Sequence, residues 1–179
     1  MGDFPLGSQL FPAGACIHTE SVCFGPAGQA DRGNLAYGFN AWPAANRGIY
    51  IPFTITNPAK AQQMFWENSG VAGTTDIGIY DGTSFKRLVS LTATTNAGTI
   101  QVGNITDTIL TPGPYFLGMV CSTTTTQTYY SNALPVQVLR MTGCAQQAIG
   151  SATLPDPMVP APIASAFLPF AGISFNATI

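Results

Sequence analysis

His18 is the single histidine of the chain, with Cys16 two residues before it, Glu20 two after and Cys23 five after. A thiol beside an imidazole is the pair that activates a cysteine nucleophile. Two cysteines and a histidine, as Cys16-x-His18-x4-Cys23, are also residue types that hold zinc. The spacing favours neither. Residues two apart rarely meet as nucleophile and base, and the paired Cys-x-x-Cys clamps of structural zinc sites are missing. Cys16, Cys23, Cys121 and Cys144 are therefore expected to be buried thiols, with a disulfide the lesser alternative. No metal and no cofactor are expected.

The carboxylates are Asp3, Glu20, Asp31, Glu67, Asp76, Asp81, Asp107 and Asp156. Glycoside hydrolysis needs two of them across one cleft, and Glu67 with Asp76 is the pair to consider. Asp81 reads as a turn residue and Asp76 as an exposed strand position, so no catalytic residue is assigned. A Gly-x-Ser-x-Gly elbow, a phosphate-binding loop and a dinucleotide fingerprint are all missing from the sequence. Trp42, Trp66, Tyr80, Tyr115, Tyr129 and Tyr130 have the amphipathic rings that stack on sugars. Most are expected in the core. Tyr129 and Tyr130, after the polar run Thr123 to Thr126, are the candidate glycan-binding pair.

Composition narrows the function classes. Apolar residues make up 46% of the 179-residue chain, which permits a packed core, whereas charged residues make up only 8%. Soluble domains carry about 25% charged residues. The surface must therefore be dressed in Thr, Ser, Asn, Gln and Gly, or be covered by other subunits. The net charge is −2, and the cations Arg32, Arg47, Lys60, Lys86, Arg87 and Arg140 are scattered, which argues against nucleic acid as a partner. No apolar run is long enough for a membrane helix. The start, Met1-Gly2-Asp3-Phe4-Pro5, lacks the basic and apolar regions of a signal peptide.

Three regions position these residues. Residues 1–46 are interrupted by Pro5, Pro12, Pro26 and Pro43 and by many glycines, yet they carry Phe4, Leu6 and Phe11; they are expected to form a docking arm. Residues 47–142 alternate with a period of two, as in Ile49, Ile51, Phe53 and Ile55. Pro52 implies an edge or a bulge. Asp81-Gly82 implies a type I′ hairpin with positive φ at both residues. Ile100–Val102 and Ile105–Leu110 read as two short strands, Tyr115–Cys121 as a central strand, Ser122–Thr128 as a loop, and Leu134–Met141 as the last strand. Seven or eight strands with turns about ten residues apart predict an all-β fold, an antiparallel β-sandwich or jelly-roll-like domain. Residues 143–179 form a proline-rich apolar arm. Its Ile163, Phe167, Leu168, Phe170, Ile173 and Phe175, with Phe4, Leu6 and Phe11 of the first arm, are the candidate assembly interface, because such groups would aggregate if exposed.

The stretch Gly48 to Leu117 resembles β-sandwich modules of structural proteins of tailed phages and prophages. The matching residues are Ile51-Pro52-Phe53, Met64-Phe65-Trp66, Asp76-Ile77-Gly78-Ile79-Tyr80-Asp81, Arg87-Leu88-Val89-Ser90 and Leu110-Thr111-Pro112-Gly113-Pro114-Tyr115-Phe116-Leu117. The resemblance implies a non-enzymatic virion protein, a capsid decoration or cement protein or a fibre-type component of head or tail. It implies no catalytic residues. The expected partners are further copies of the chain, a trimer among the options, and other virion proteins such as the major capsid or a tail protein. No membrane is expected. The alternative is a receptor- or glycan-binding module that contacts a cell-surface glycan.

Overall fold

The computed structural model describes residues 16–18, 21–24, 37–68, 73–94, 99–125, 127–131 and 135–176. In chain order the elements are β1 (Cys16–His18), β2 (Ser21–Phe24), β3 (Tyr37–Ala41), β4 (Arg47–Ile55), β5 (Ala59–Asn68), β6 (Thr74–Asp81), β7 (Arg87–Thr94), β8 (Thr99–Leu110), β9 (Gly113–Cys121), β10 (Gln127–Ser131), α1 (Val136–Met141), β11 (Ala145–Ala148), β12 (Ala161–Pro162), β13 (Leu168–Pro169) and β14 (Ala171–Asn176). All pairings are antiparallel. They form a large sheet in the order β1-β2-β14-β5-β10-β13, with β3 on β10 and β8 on β5, and a small sheet in the order β12-β11-β4-β9-β6-β7. The fold is the expected all-β sandwich.

The period of two builds the core between the sheets. Ile49, Ile51, Phe53 and Ile55 of β4, Ile77 and Ile79 of β6, and Tyr115, Leu117, Met119 and Cys121 of β9 face Ala61, Met64 and Trp66 of β5 and Ala171, Ile173 and Phe175 of β14. As expected, β9 is central, paired with β4 on one side and β6 on the other. Pro52 lies two residues beyond the last β11 contact, Ala145 with Tyr50, so β4 is locally an edge at the residue that lacks an N–H.

Several local readings differ from the structure. The segment after Pro135 is the helix α1, in which only Leu139 is buried. An apolar run this short does not discriminate strand from helix by itself. The hairpin between β6 and β7 is longer than a type I′ turn, and its positive φ falls on Phe85 at 61°, not on Asp81 or Gly82. Asp81 still caps it: one carboxylate oxygen accepts from the backbone N–H of Thr83 and Ser84 and from the Ser84 hydroxyl. These bonds hold its carboxyl below the usual carboxylate range. Glycine is needed at Gly82 for a different reason, since a Cβ there would lie 2.6 Å from the Pro114 carbonyl oxygen. The two short strands expected between Ile100 and Leu110 are one strand, β8. Its register against β5 shifts between Ala61 and Gln63, where Ala61 faces Thr108 but Gln63 faces Asn104. That bulge accounts for the apparent break in the pattern.

The largest departure concerns the termini. The boundary expected at residue 142 is not a break in the fold, because β11 pairs with β4 and β14 lies between β2 and β5. Ile163, Phe167, Leu168, Phe170, Ile173 and Phe175 are all 7% exposed or less within a single copy. Their burial is supplied by the chain's own sheets, so as placed they are not available to a second copy. Phe4, Leu6 and Phe11 lie outside the described residues. Replacing Ile173 by Ala should destabilise the monomer by about 2–5 kcal/mol, measured by chemical denaturation of dilute protein. A loss below about 1 kcal/mol would show that β14 is not an integral strand.

Candidate functional site

The small sheet is buried on both faces, and the reason is local. Gly78 and Gly118 pair directly across β6 and β9. Around this bare patch the rings of Tyr50 and Tyr80 meet edge to face at a centroid distance of 5.5 Å. A Cβ on Gly118 would come within 2.9 Å of Tyr50 and 3.0 Å of Tyr80. Residues 149–160 then cross the outer face as a strap. Leu154 and Met158 complete a second apolar cluster with Tyr50, Tyr80, Val120 and Ala145. Polar anchors fix the strap: Tyr80 donates to the Pro155 carbonyl at 2.6 Å, Val159 N–H to Gln147 Oε1 at 2.8 Å, and Met158 N–H to the Phe85 carbonyl at 3.0 Å. The last bond helps to hold Phe85 in a backbone region that bulky residues rarely enter.

Asp76 is part of this strap site and is fully buried, not exposed as the alternation implies. It does lie on the outer face, but the outer face is covered. Its Oδ2 accepts from the Leu154 backbone N–H at 2.8 Å, and the Arg87 guanidinium stands 4.0 Å away. Its Oδ1 is buried without a hydrogen-bond partner. Burial pushes its carboxyl above the ordinary value, and the Leu154 N–H, the Thr92 side chain, the Arg87 charge and the Ile77 N–H only partly offset that. Arg87 itself donates to the Leu154 carbonyl at 2.5 Å.

Other sequence candidates are separated by the fold. Glu67 follows the core residue Trp66 on β5, so it falls on the outer face of the large sheet, whereas Asp76 falls on the outer face of the small sheet. Packed sheets stand about 10 Å apart, so both sheets lie between these two carboxylates and they cannot flank one glycosidic bond. Tyr129 and Tyr130 are consecutive in β10, paired with Phe39 and Gly38 of β3. Cys121 and Cys144 are buried thiols, as expected. Burial pushes the Cys144 thiol up, which suppresses the thiolate a nucleophile needs. Beside it is a cleft of about 480 Å³ lined by Phe85, Phe116, Pro160 and Pro162, with Arg140 at its edge. The guanidinium of Arg140 already donates to the Ile163 carbonyl at 2.7 Å.

The surface that the sequence reading missed is β8. It is twelve residues long, and among the described residues it pairs only with β5. Gly103 and Ile105 lie on its inner side, where Leu91 of β7 closes over Gly103 and Ile105 packs on the core. On its outer side Ile100, Val102 and Ile109 are 53%, 60% and 60% exposed. Val102 lies directly across from Phe65 of β5, and the Phe65 ring meets that of Phe170 at 6.1 Å. Asp107 is the one charged residue in the strand, and it is paired with Lys60 at 2.9 Å. Edge strands of monomeric proteins are usually short or carry Lys or Pro. Apart from its bulge, β8 has none of these protections. The signal was present in the sequence as Thr99-Ile100-Gln101-Val102-Gly103-Asn104-Ile105-Thr106, which is free of charge and of proline, but only the topology shows that this strand is an edge.

The buried Asp76 gives a pH test with a defined sign. Its folded-state value is raised, so the folded protein holds the proton more tightly than the unfolded chain. Stability should therefore fall as pH rises from about 4 through the folded-state value. Asp76→Asn keeps an acceptor for Leu154 and removes the buried charge. It should abolish this slope and raise stability at pH 7 by about 1 kcal/mol, read from urea denaturation at several pH values. A variant with the wild-type slope would show that another group sets it.

Compared with protein-family models, with curated proteins and with solved structures, the chain matches none of them.

Proposed function

We propose that this protein is a non-enzymatic structural component that works by being built into a larger assembly, with copies of the chain meeting along β8. The observation that carries this reading is the long, charge-poor edge with Ile100, Val102 and Ile109 on its outer side. Such an edge offers strand geometry that another strand can extend, together with apolar side chains. A second strand engages both at once. The low charged fraction of 8% supports it, since a surface with few charges loses little on being covered. With the motifs of Gly48 to Leu117, the reading extends to a virion protein of a tailed phage, of the capsid decoration, cement or fibre type. Antiparallel pairing of β8 with its copy would give a two-fold contact. Contact of β8 with a different surface would be head to tail and would suit a three-fold ring.

On this reading the contact lies on the sandwich, because the large groups of the C-terminal apolar run are buried within one copy. Two charges on the outer side test it. The double variant Ile100→Lys, Val102→Lys should keep monomer stability within about 0.5 kcal/mol, as exposed substitutions do, and should lose self-association in sedimentation velocity at concentrations where the wild type associates. Wild-type protein that stays monomeric throughout, or a double variant that associates equally well, would refute the β8 contact. Mass spectrometry of purified phage particles carrying the gene tests the virion assignment separately.

A further inference from the structure

The strap over the small sheet is held at isolated points rather than by a ladder. Between the end of β11 at Ala148 and the start of β12 at Ala161 it adds no strand pairing. Of its side chains Leu154 and Met158 are buried, whereas Ser151, Thr153, Asp156, Pro157 and Val159 are exposed. Leu154 seats over Gly78, where a Cβ would come within 3.1 Å of its methyl group. The middle of the strap is tied to one cluster. Asp76 accepts from the Leu154 N–H, and the Arg87 guanidinium donates to the Leu154 carbonyl. The Arg87 N–H donates to Asp156 Oδ1, and the Tyr80 hydroxyl to the Pro155 carbonyl. Beneath the strap, β6 is ladder-bonded to β7 on one side and to β9 on the other. Segments held by isolated bonds open at a lower free energy than ladder-bonded strands.

The carboxyl under the strap has two unlike oxygens. Oδ2 accepts from Leu154, and Oδ1 is buried without a hydrogen-bond partner. A neutral carboxyl suits this site, with the proton on Oδ1 and the acceptor role kept by Oδ2. A carboxylate leaves a charge-bearing oxygen dry, which is costly. Lifting the strap admits water to it. The charged and titratable groups around Asp76 are Arg87 of β7 at 4.0 Å, Tyr80 on its own strand, Tyr50 of β4 against Tyr80, and Asp156 of the strap. Thr92 of β7 and Val120 of β9, which stand opposite Asp76 in the sheet, carry no charge. Arginine keeps its charge throughout, and burial pushes both tyrosine hydroxyls up. Asp76 is therefore the buried group here whose charge changes as pH rises from about 4.

We propose that residues 149–160 form a pH-operated cover: with Asp76 protonated the strap is shut, and ionisation of Asp76 favours a locally open form in which the strap lifts off the Tyr50–Tyr80 face while both sheets stay folded. The sign follows from burial. The closed form holds the proton more tightly than the open form, whose carboxyl is hydrated. The opening constant is thus lowest below about pH 4. It climbs by up to about tenfold per pH unit as pH rises toward the closed-form value and levels off above it. The cover lies on the small sheet and β8 on the large one, so the cover and the proposed assembly contact can each fail without the other.

Amide hydrogen exchange of the full-length protein tests this, followed by NMR across the acid-to-neutral range and converted to opening constants with the intrinsic rate at each pH. The amides of Leu154 and Met158, bonded to Asp76 and to the Phe85 carbonyl, should open at least about tenfold more readily than those of the β4–β9 ladder. Their opening constants should rise together with pH, by up to about tenfold per unit. This measurement on the wild type needs no variant. Asp76→Asn keeps an acceptor for Leu154 and should flatten the rise. Asp156→Asn keeps an acceptor for the Arg87 N–H and should retain it. The proposal is overturned if Leu154 and Met158 exchange only as readily as the ladder amides at every pH, if their opening constants do not change with pH, or if the rise survives in Asp76→Asn or is lost in Asp156→Asn.

Discussion

The insertion of β14 between β2 and β5 is the constraint on which the rest of the molecule rests. Through it the last described strand joins the N-terminal hairpin to the middle of the large sheet. Ala171 and Ile173 reach zero exposure there, against Met64 and Trp66 of β5 and the inner residues of the small sheet. A strand in that position satisfies backbone groups on both sides and buries one apolar face. A free apolar tail could do neither. The sandwich is therefore closed by its own C-terminal segment, which must first cross from one sheet to the other.

That crossing explains the second apolar cluster. Residues 149–160 run over the outer face of the small sheet before β12 and β13 lead to the large sheet. The prolines at 155, 157 and 160 suit an extended strap that makes side-chain and isolated backbone bonds rather than a ladder. Gly118 leaves room for the two tyrosine rings, and Gly78 leaves room for Leu154 of the strap. Asp76 is the one electrostatic cost in this arrangement. Its carboxylate holds the strap through Leu154 but leaves one oxygen buried and unpaired. Anchoring and destabilisation therefore come from the same group.

Among the described residues, Ile100, Val102 and Ile109 put three of the exposed large apolar groups on β8, while Leu88, Met141 and Val159 stand singly on β7, α1 and the strap. The large aromatic groups of the C-terminal run are buried inside one copy. The exposed groups of β8 sit on an edge, where backbone pairing adds direction to apolar contact. An assembly built this way would depend on register along the strand as much as on buried area.

The sequence by itself determined the fold class and most of the core. Alternation in β4, β6 and β9 is a property of the strand repeat and needs no partner to be read. The breadth of apolar residues in Tyr115–Cys121 likewise marked a central strand, because only burial on both faces selects such a run. The tertiary structure decided everything that depends on what lies opposite. Asp76 occupies an outward position in any reading, and only the strap makes that position buried. Val136–Met141 is a helix that turns Val136 and Leu139, three residues apart, to the core rather than the alternating set a strand would present. Nucleophile, ligand and carboxylate pairs are relations between strands distant in sequence or set by register, and a one-dimensional pattern records neither the partner nor the face it covers.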